Sequence, residues 1–377
     1  MDRISIKPVV TRSDMRDFLW LPWNIYKKDA NWVPPLLKEV KKKLDPRFNP
    51  LLARGPYRLF LASDSVGRPL SRVLVGVDPA DSEGQREQEG YLALFEAVNE
   101  QAGILILDHA CRWLSSLNQG IRQLKGPISP NKGDNLRGLL IWGFDSPPVL
   151  MNAYNPPEYA AYFEKAGFMK DNDLYAYYYD LKAMGERKTA RVVSYAQNKY
   201  GFRVNSLNLN NLEGELEDIK YILDHALPED WGDLPPPNLD DLKALAFQLK
   251  DLIIPELIPI ARSLEGEPIG FAVSIPDYNR VLPKINGRLF PIGWAKFLLN
   301  RHRVSGARVF LLFVIPEYRK KGVSGTIFYQ LLLKAKELGF TYGEGSTIGE
   351  FNTPMRRDAE GVGGLHYKTY RLYKKSI

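Results

Sequence analysis

The stretch whose residue types and spacing most suggest chemistry is 308–325. A β-branched and aromatic run from Val309 to Ile315 reads as a strand covered on both faces. Pro316 ends it, and Arg319-Lys320-Lys321-Gly322-Val323-Ser324-Gly325 follows. Ile327, Phe328, Leu331, Leu332 and Ala335 then recur at helical spacing up to Gly339, a residue suited to a helix C-terminus. A glycine lets the backbone turn tightly and approach a ligand. The helix it opens leaves N–H groups unpaired and aims its dipole at the same spot. Such a place suits an anion, a pyrophosphate above all, and three basic side chains add charge. The plain alternative is a basic turn ahead of an ordinary helix. Downstream, strand alternation from Tyr342 to Asn352 puts Glu344, Ser346, Ile348 and Glu350 on one face. Ile348 is its only apolar member, which suits a strand bordering a cleft.

Residues 316–324, Pro-Glu-Tyr-Arg-Lys-Lys-Gly-Val-Ser, resemble the acyl-CoA pyrophosphate loop of the GNAT superfamily of N-acyltransferases. That loop reads Arg or Gln, two residues, Gly, one residue, then Gly or Ala, between a strand and a helix. Arg319, Gly322 and Ser324 take those places; Ser324 departs from the pattern but is small. The resemblance implies acetyl-CoA or another acyl-CoA as co-substrate, held by Arg319, Lys320, Lys321, Gly322, Val323, Ser324 and Gly325. By the same analogy Asn352 meets the CoA arm and the Val314 N–H serves a tetrahedral oxyanion.

The implied reaction is acyl transfer to an amine, on a small molecule or a peptide. The amine must lose a proton, the oxyanion needs a donor and the thiolate needs an acid. A carboxylate can be the base if burial raises its pKa. Glu350 is the first candidate and Glu344 the second, the alternative being that both offset Arg356 and Arg357. Tyr370 or Tyr367 is the candidate acid. The superfamily's usual acid is a tyrosine seven residues after a motif asparagine, but Ala359 stands seven after Asn352. That departure keeps open a protein that binds acyl-CoA without turning it over, for regulation, and a scaffold that binds none.

The chain also repeats itself. Ala62, Gly67 and Pro69 recur as Ala261, Gly266 and Pro268, each 199 positions on, in a strand–glycine turn–strand pattern. A helix-then-glycine unit at Ile104–Gly120 parallels Ile327–Gly339. Asn155-Pro156-Pro157 parallels Asn352-Thr353-Pro354, and tyrosine-rich strands follow at Leu174–Leu181 and Tyr367–Tyr373. Matches in one order indicate duplication. The expected fold class is α/β (α+β): tandem GNAT-like folds with mixed, mostly antiparallel sheets flanked by helices. Residues 1–181 form a degenerate copy, 182–200 a linker helix and 201–377 the acyl-CoA-binding copy. The first copy keeps Asn155, Tyr162 and Lys165-Ala166-Gly167-Phe168, which look like the superfamily's closing motif, but at Asn99–His109 it has no phosphate loop. The Gly-, Pro- and Asn-rich insertion after Gly126 offers Asn131, Asp134, Asn135 and Asp145 as a substrate lining or as turn residues. It also resembles a segment of bacterial two-domain GNAT-like proteins of uncharacterised function, as does the Asn31–Pro35 stretch.

Composition narrows the rest. A chain of 377 residues with 45% hydrophobic and 25% charged residues is globular, with about two domains. No stretch reaches the roughly 18–20 apolar residues of a membrane span, and residues 1–30 lack a signal-peptide core. Cys111, the single cysteine, reads as core and fits a reducing, cytoplasmic setting. A net charge of +7 permits anionic partners, yet no basic stripe interleaved with aromatics points to nucleic acid. The four histidines show no metal-ligand spacing, so no metal is expected. No membrane partner is expected, and a homodimer is left open. Trp20, Trp23 and Trp32, like Phe290, Trp294 and Phe297, read as core or as an acyl-chain wall.

Overall fold

The computed structural model describes residues 3–77, 89–117, 120–131, 136–183, 186–227, 238–240, 242, 243, 246 and 254–377. The candidates Asp134 and Asn135 lie outside them. In chain order the elements are β1 (Ser5–Pro8), α1 (Arg12–Ile25), α2 (Leu37–Lys43), α3 (Pro50–Arg54), β2 (Tyr57–Ser63), β3 (Pro69–Val77), β4 (Glu89–Ala97), α4 (Glu100–Ser116), β5 (Gln123–Gly126), β6 (Leu139–Trp142), α5 (Tyr159–Lys165) and β7 (Met169–Asp180). There follow α6 (Glu186–Tyr200), β8 (Phe202–Ser206), α7 (Leu212–Ala226), β9 (Pro259–Ser263), β10 (Pro268–Pro276), α8 (Leu282–Ile285), α9 (Gly293–Asn300), β11 (Gly306–Val314), α10 (Val323–Glu337), β12 (Tyr342–Gly349), α11 (Thr353–Gly361) and β13 (Leu365–Ser376).

The chain divides into two compact units. One comprises Met1–Leu174, Asn279–His302 and Lys368–Ile377; the other comprises Tyr175–Tyr278 and Arg303–Tyr367. The first unit carries the strand order β1-β2-β3-β4-β5-β13. The β1 to β4 pairs are antiparallel and β4–β5 is parallel. Its core joins Phe60, Val73 and Leu92 of the sheet to Ile106, Leu107 and Ala110 of α4. Cys111 is in that core, where burial pushes its thiol up to about 11. The second unit carries β8-β9-β10-β11-β12-β7, with β8 to β11 antiparallel and β11–β12 parallel. Phe271, Ile327, Phe328 and Leu331 fill its core.

The repeated turns are built alike. Gly67 and Gly266 sit at φ +83° and +95°, where a Cβ is penalised. Asp64 accepts from the backbone of Val66 and Arg68, and Ser263 does so from Glu265 and Glu267. Different side chains thus close one backbone turn at both sites.

Candidate active site

In the second unit, β10 pairs Val273 with Leu311 but Ser274 with Val309, leaving Phe310 as an extra residue in β11. Such a bulge bends its strand. The parallel ladder between β11 and β12 runs from Gly306–Tyr342 to Val309–Gly345, whereas β11 continues to Val314. The two strands therefore part at the bulge. The Ile315 N–H donates to Ile269 of β10 at 3.0 Å. Because successive peptides alternate direction along a strand, the Val314 N–H points away from β10, on the side where the strands separate.

The loop beyond Val314 then delivers α10. Gly322 is its N-cap at φ +79°, and no side chain caps the helix. The Thr326 hydroxyl donates to the Gly322 carbonyl at 2.8 Å and so fixes the turn. Arg319 has a bracing role: its Nε donates to Val314 O at 3.1 Å and its Nη2 to Ala226 O at 2.6 Å. Lys321 lies 4.4 Å above the Tyr318 ring. Ser324 donates to Asp358 of α11, whose carboxyl is raised by burial. Asn352 caps α11, its side chain accepting from Met355 N at 3.2 Å.

The carboxylate held most firmly here is Glu344. Its side chain and that of Arg308, its partner across the β11–β12 register, are both fully buried, with 4.0 Å between charged atoms. Ser346 and Tyr367 donate to Glu344. Burial lifts its pKa above the ordinary glutamate range despite the Arg308 charge and these two donors. Tyr178 stacks on Tyr342 at 5.7 Å, and the Tyr342 hydroxyl donates to Asp277 at 2.6 Å. Glu350 lies just past the end of β12, where its backbone carbonyl accepts from Arg356 at 3.1 Å. Of the two tyrosines considered, Tyr367 reaches Glu344; Tyr370 is fully buried in the first unit, opposite Leu140. Arg308 escaped the sequence reading because it precedes the apolar run of its strand, and its only signal was a cation in a covered strand.

The first unit has the same bulged layout with other contents. Val73 faces two residues, Leu94 and Phe95, and the β4–β5 ladder stops at Tyr91–Lys125. Here the helix N-terminus is filled from within the chain. Asn99 caps α4 by accepting from Ala102 N at 2.9 Å, and Glu100 sits in its first turn, bonded to Lys165 at 2.7 Å. Asn155 acts as a clip on β6, accepting from Leu140 N at 2.7 Å and donating to Leu140 O at 3.1 Å. Asn131 accepts from Ser129 at 2.8 Å, which is turn chemistry. Asp145 is exposed.

Glu96, unremarked in the sequence, is a largely covered carboxylate of this unit, its side chain 13% exposed. It accepts from Tyr26 at 2.9 Å and Tyr159 at 3.0 Å, with Arg72 at 3.8 Å. Beside Tyr26 opens a cleft of about 620 Å³ lined by Asp29, Ala97, Pro156 and Glu158 among others. Burial moves the Glu96 pKa from 4.5 to about 7. A folded-state value above the unfolded one means the folded chain holds the extra proton. The associated stability is complete below the unfolded value and is lost as pH rises through the folded one, by roughly 3 kcal/mol. Urea unfolding between pH 5 and 8 should show that decline in the wild type and a flatter profile for Glu96→Gln. Matching profiles would rule out titration of Glu96 in this range.

No family model matches the sequence. The chain is 31% identical over 384 residues to protein YghO of Escherichia coli strain K12, spanning 99% of this chain and 95% of that one. The chain belongs to the YghO family. This YghO-family chain is also 29% identical over 388 residues to the bacterial ceramide synthase of Caulobacter vibrioides, spanning 99% and 98% of the two chains. In structure it is similar to a tandem GNAT protein from the clavulanic acid biosynthesis pathway, with a TM-score of 0.55 and 12% identity over 99% of this chain and 98% of that one. The fold of this YghO-family protein is therefore the tandem GNAT fold. No helix among the described residues is long and apolar enough to cross a membrane.

Proposed function

We propose that this protein is an acyl-CoA-dependent N-acyltransferase whose acceptor is a long-chain amino alcohol. The observation that carries the reading is the glycine-opened, side-chain-uncapped N-terminus of α10, set where β11 and β12 part. The full-length similarity to a ceramide synthase supports the acceptor class, since a ceramide is the amide of such an amino alcohol. In this reading the pyrophosphate lies on the first turn of α10 and the loop lysines. Arg319 holds the loop rather than the phosphate. Residues 201–377 supply this site, and residues 1–181 are the copy that no longer binds CoA. A CoA substrate and a lone buried thiol support a cytoplasmic reaction.

The chemistry assigned to the residues is as follows. Tyr367 takes a proton from the acceptor ammonium as it passes its own to Glu344, leaving a neutral amine to attack the thioester carbon. The Val314 N–H meets the oxyanion. As the tetrahedral intermediate collapses, the C–S bond breaks, the same pair returns its proton to the thiolate, and the second proton of the attacking nitrogen leaves to solvent, so the products are the amide, the free thiol and one proton. The test is free-thiol release from acetyl-CoA and a long-chain acyl-CoA with short amines, peptides and a long-chain amino alcohol as acceptors. Turnover is expected with the long-chain acyl-CoA and the amino alcohol. Silence with every acceptor, despite stabilisation by acyl-CoA, would favour a protein that binds CoA without catalysis. That outcome has its own motive in Ala359, which stands where the superfamily's acid tyrosine belongs.

A further inference from the structure

We infer that the segment Val281–His302 of the first unit docks this protein onto an anionic lipid surface. The inference goes beyond the acyl-transfer reading and does not depend on it. Sequence patterning suggested core or pocket for Phe290, Trp294 and Phe297; the structure leaves Phe297 half-buried and turns Phe290 and Trp294 outward. Phe290 is 74% exposed, Ile292 63%, Trp294 50%, Leu298 48% and Leu299 71%, within one short stretch on and just before α9. Scattered apolar side chains on a surface are ordinary, whereas five large ones in ten residues form a patch.

The patch stands on a fixed base. Val281 and Ile285 are buried. The Trp23 indole donates to Asn286 at 2.8 Å, the Leu37 N–H to Gly287 O at 3.0 Å, and Arg288 lies 4.8 Å over Trp20. Outward exposure is thus how the segment is held.

Charge decides the occupant. Between Val281 and His302 there are four Lys or Arg residues (Lys284, Arg288, Lys296 and Arg301) and no Asp or Glu, and all four are exposed. Apolar and aromatic side chains in a segment whose Lys and Arg residues are offset by no Asp or Glu of its own match a bilayer interface. There Trp and Phe enter the headgroup boundary while long basic side chains reach anionic headgroups. The expectation of no membrane partner rested on the lack of a spanning segment; a surface contact needs none.

The test is flotation of the full chain with phosphatidylcholine vesicles, with and without phosphatidylglycerol, at low and high salt. Wild type should associate at least tenfold more with the anionic vesicles, and salt should release it. The double variant Phe290→Ser/Leu299→Ser should bind at least tenfold more weakly with its melting temperature kept, since both side chains are already exposed. Lys296→Gln/Arg301→Gln should weaken anionic-vesicle binding about thirtyfold. No vesicle association by wild type, or equal binding by the variants, would overturn the inference. So would a dimer in sedimentation that Phe290→Ser/Leu299→Ser dissociates and vesicles do not, since the patch would then be a self-interface.

Discussion

Gly322→Glu should abolish the stabilisation of this protein by acyl-CoA. At a ligand concentration about 100 times its dissociation constant, wild type gains roughly 2.7 kcal/mol, and the variant should gain nothing. Two effects act together. At φ +79° a side chain is strained, and a Cβ would come to 3.0 Å from Ala196; left-handed backbone costs a non-glycine residue about 1–2 kcal/mol. The larger effect is electrostatic. The new carboxylate would occupy the positive end of the 15-residue α10, where the pyrophosphate is proposed to lie. Gly322→Ala brings the strain without the charge and should retain part of the shift. Thermal unfolding with CoA, acetyl-CoA and a long-chain acyl-CoA reads all three proteins. An equal shift in wild type and Gly322→Glu would move the CoA site elsewhere. No shift in wild type would remove acyl-CoA from the account.

Glu344→Gln should lower turnover by about 10²–10⁴-fold while leaving the acyl-CoA thermal shift intact. Glutamine keeps the shape and one of the two acceptor oxygens, since Ser346 donates to Oε1 and Tyr367 to Oε2, but it cannot receive a proton. Because burial raises the Glu344 pKa, the acid limb of the wild-type rate profile should lie above the ordinary glutamate value of about 4.3 and vanish in the variant. Removing the carboxylate also leaves the buried Arg308 without its opposite charge, and breaking such a pair can cost about 3–5 kcal/mol. Stability is therefore measured alongside the rate. Tyr367→Phe interrupts the same path, so the double variant should fall little below either single one. Full activity in Glu344→Gln would eliminate it as the base and return attention to Glu350.

The loop, the duplication and the fold class were legible because each rests on local signals. Gly322 follows a covered strand and precedes a periodic helix, and Gly67 and Gly266 mark turns at equal spacing. The tyrosine-rich strands were also visible. The carboxylates were harder to rank. Glu344 and Glu350 share an alternation, and only the end of β12 after Gly349 separates them. The pairing of Glu344 with Arg308 and Tyr367 was out of reach, since Arg308 comes from a strand 36 positions earlier and Tyr367 from one 23 later. Glu96 was invisible for the same reason: Tyr26, Arg72 and Tyr159 gather around it from the C-terminal end of α1, from β3 and from α5. Phe290 and Trp294 misled because apolar type predicts burial only on average. Their exposure follows from how Trp20 and Trp23 anchor the segment beneath them.

The contrast between Asn99 and Gly322 also bears on what each copy needs in order to be quiet. In the first, the chain supplies its own occupant for the helix end, so the amides there are shielded whether or not any metabolite is present. In the second, Val323, Ser324 and Gly325 have no such resident. Hydrogen–deuterium exchange of the apo protein should find the start of α4 slow and the start of α10 fast. Under the proposed reading, added acyl-CoA should slow the amides of Val323, Ser324 and Gly325 and leave the start of α4 unchanged.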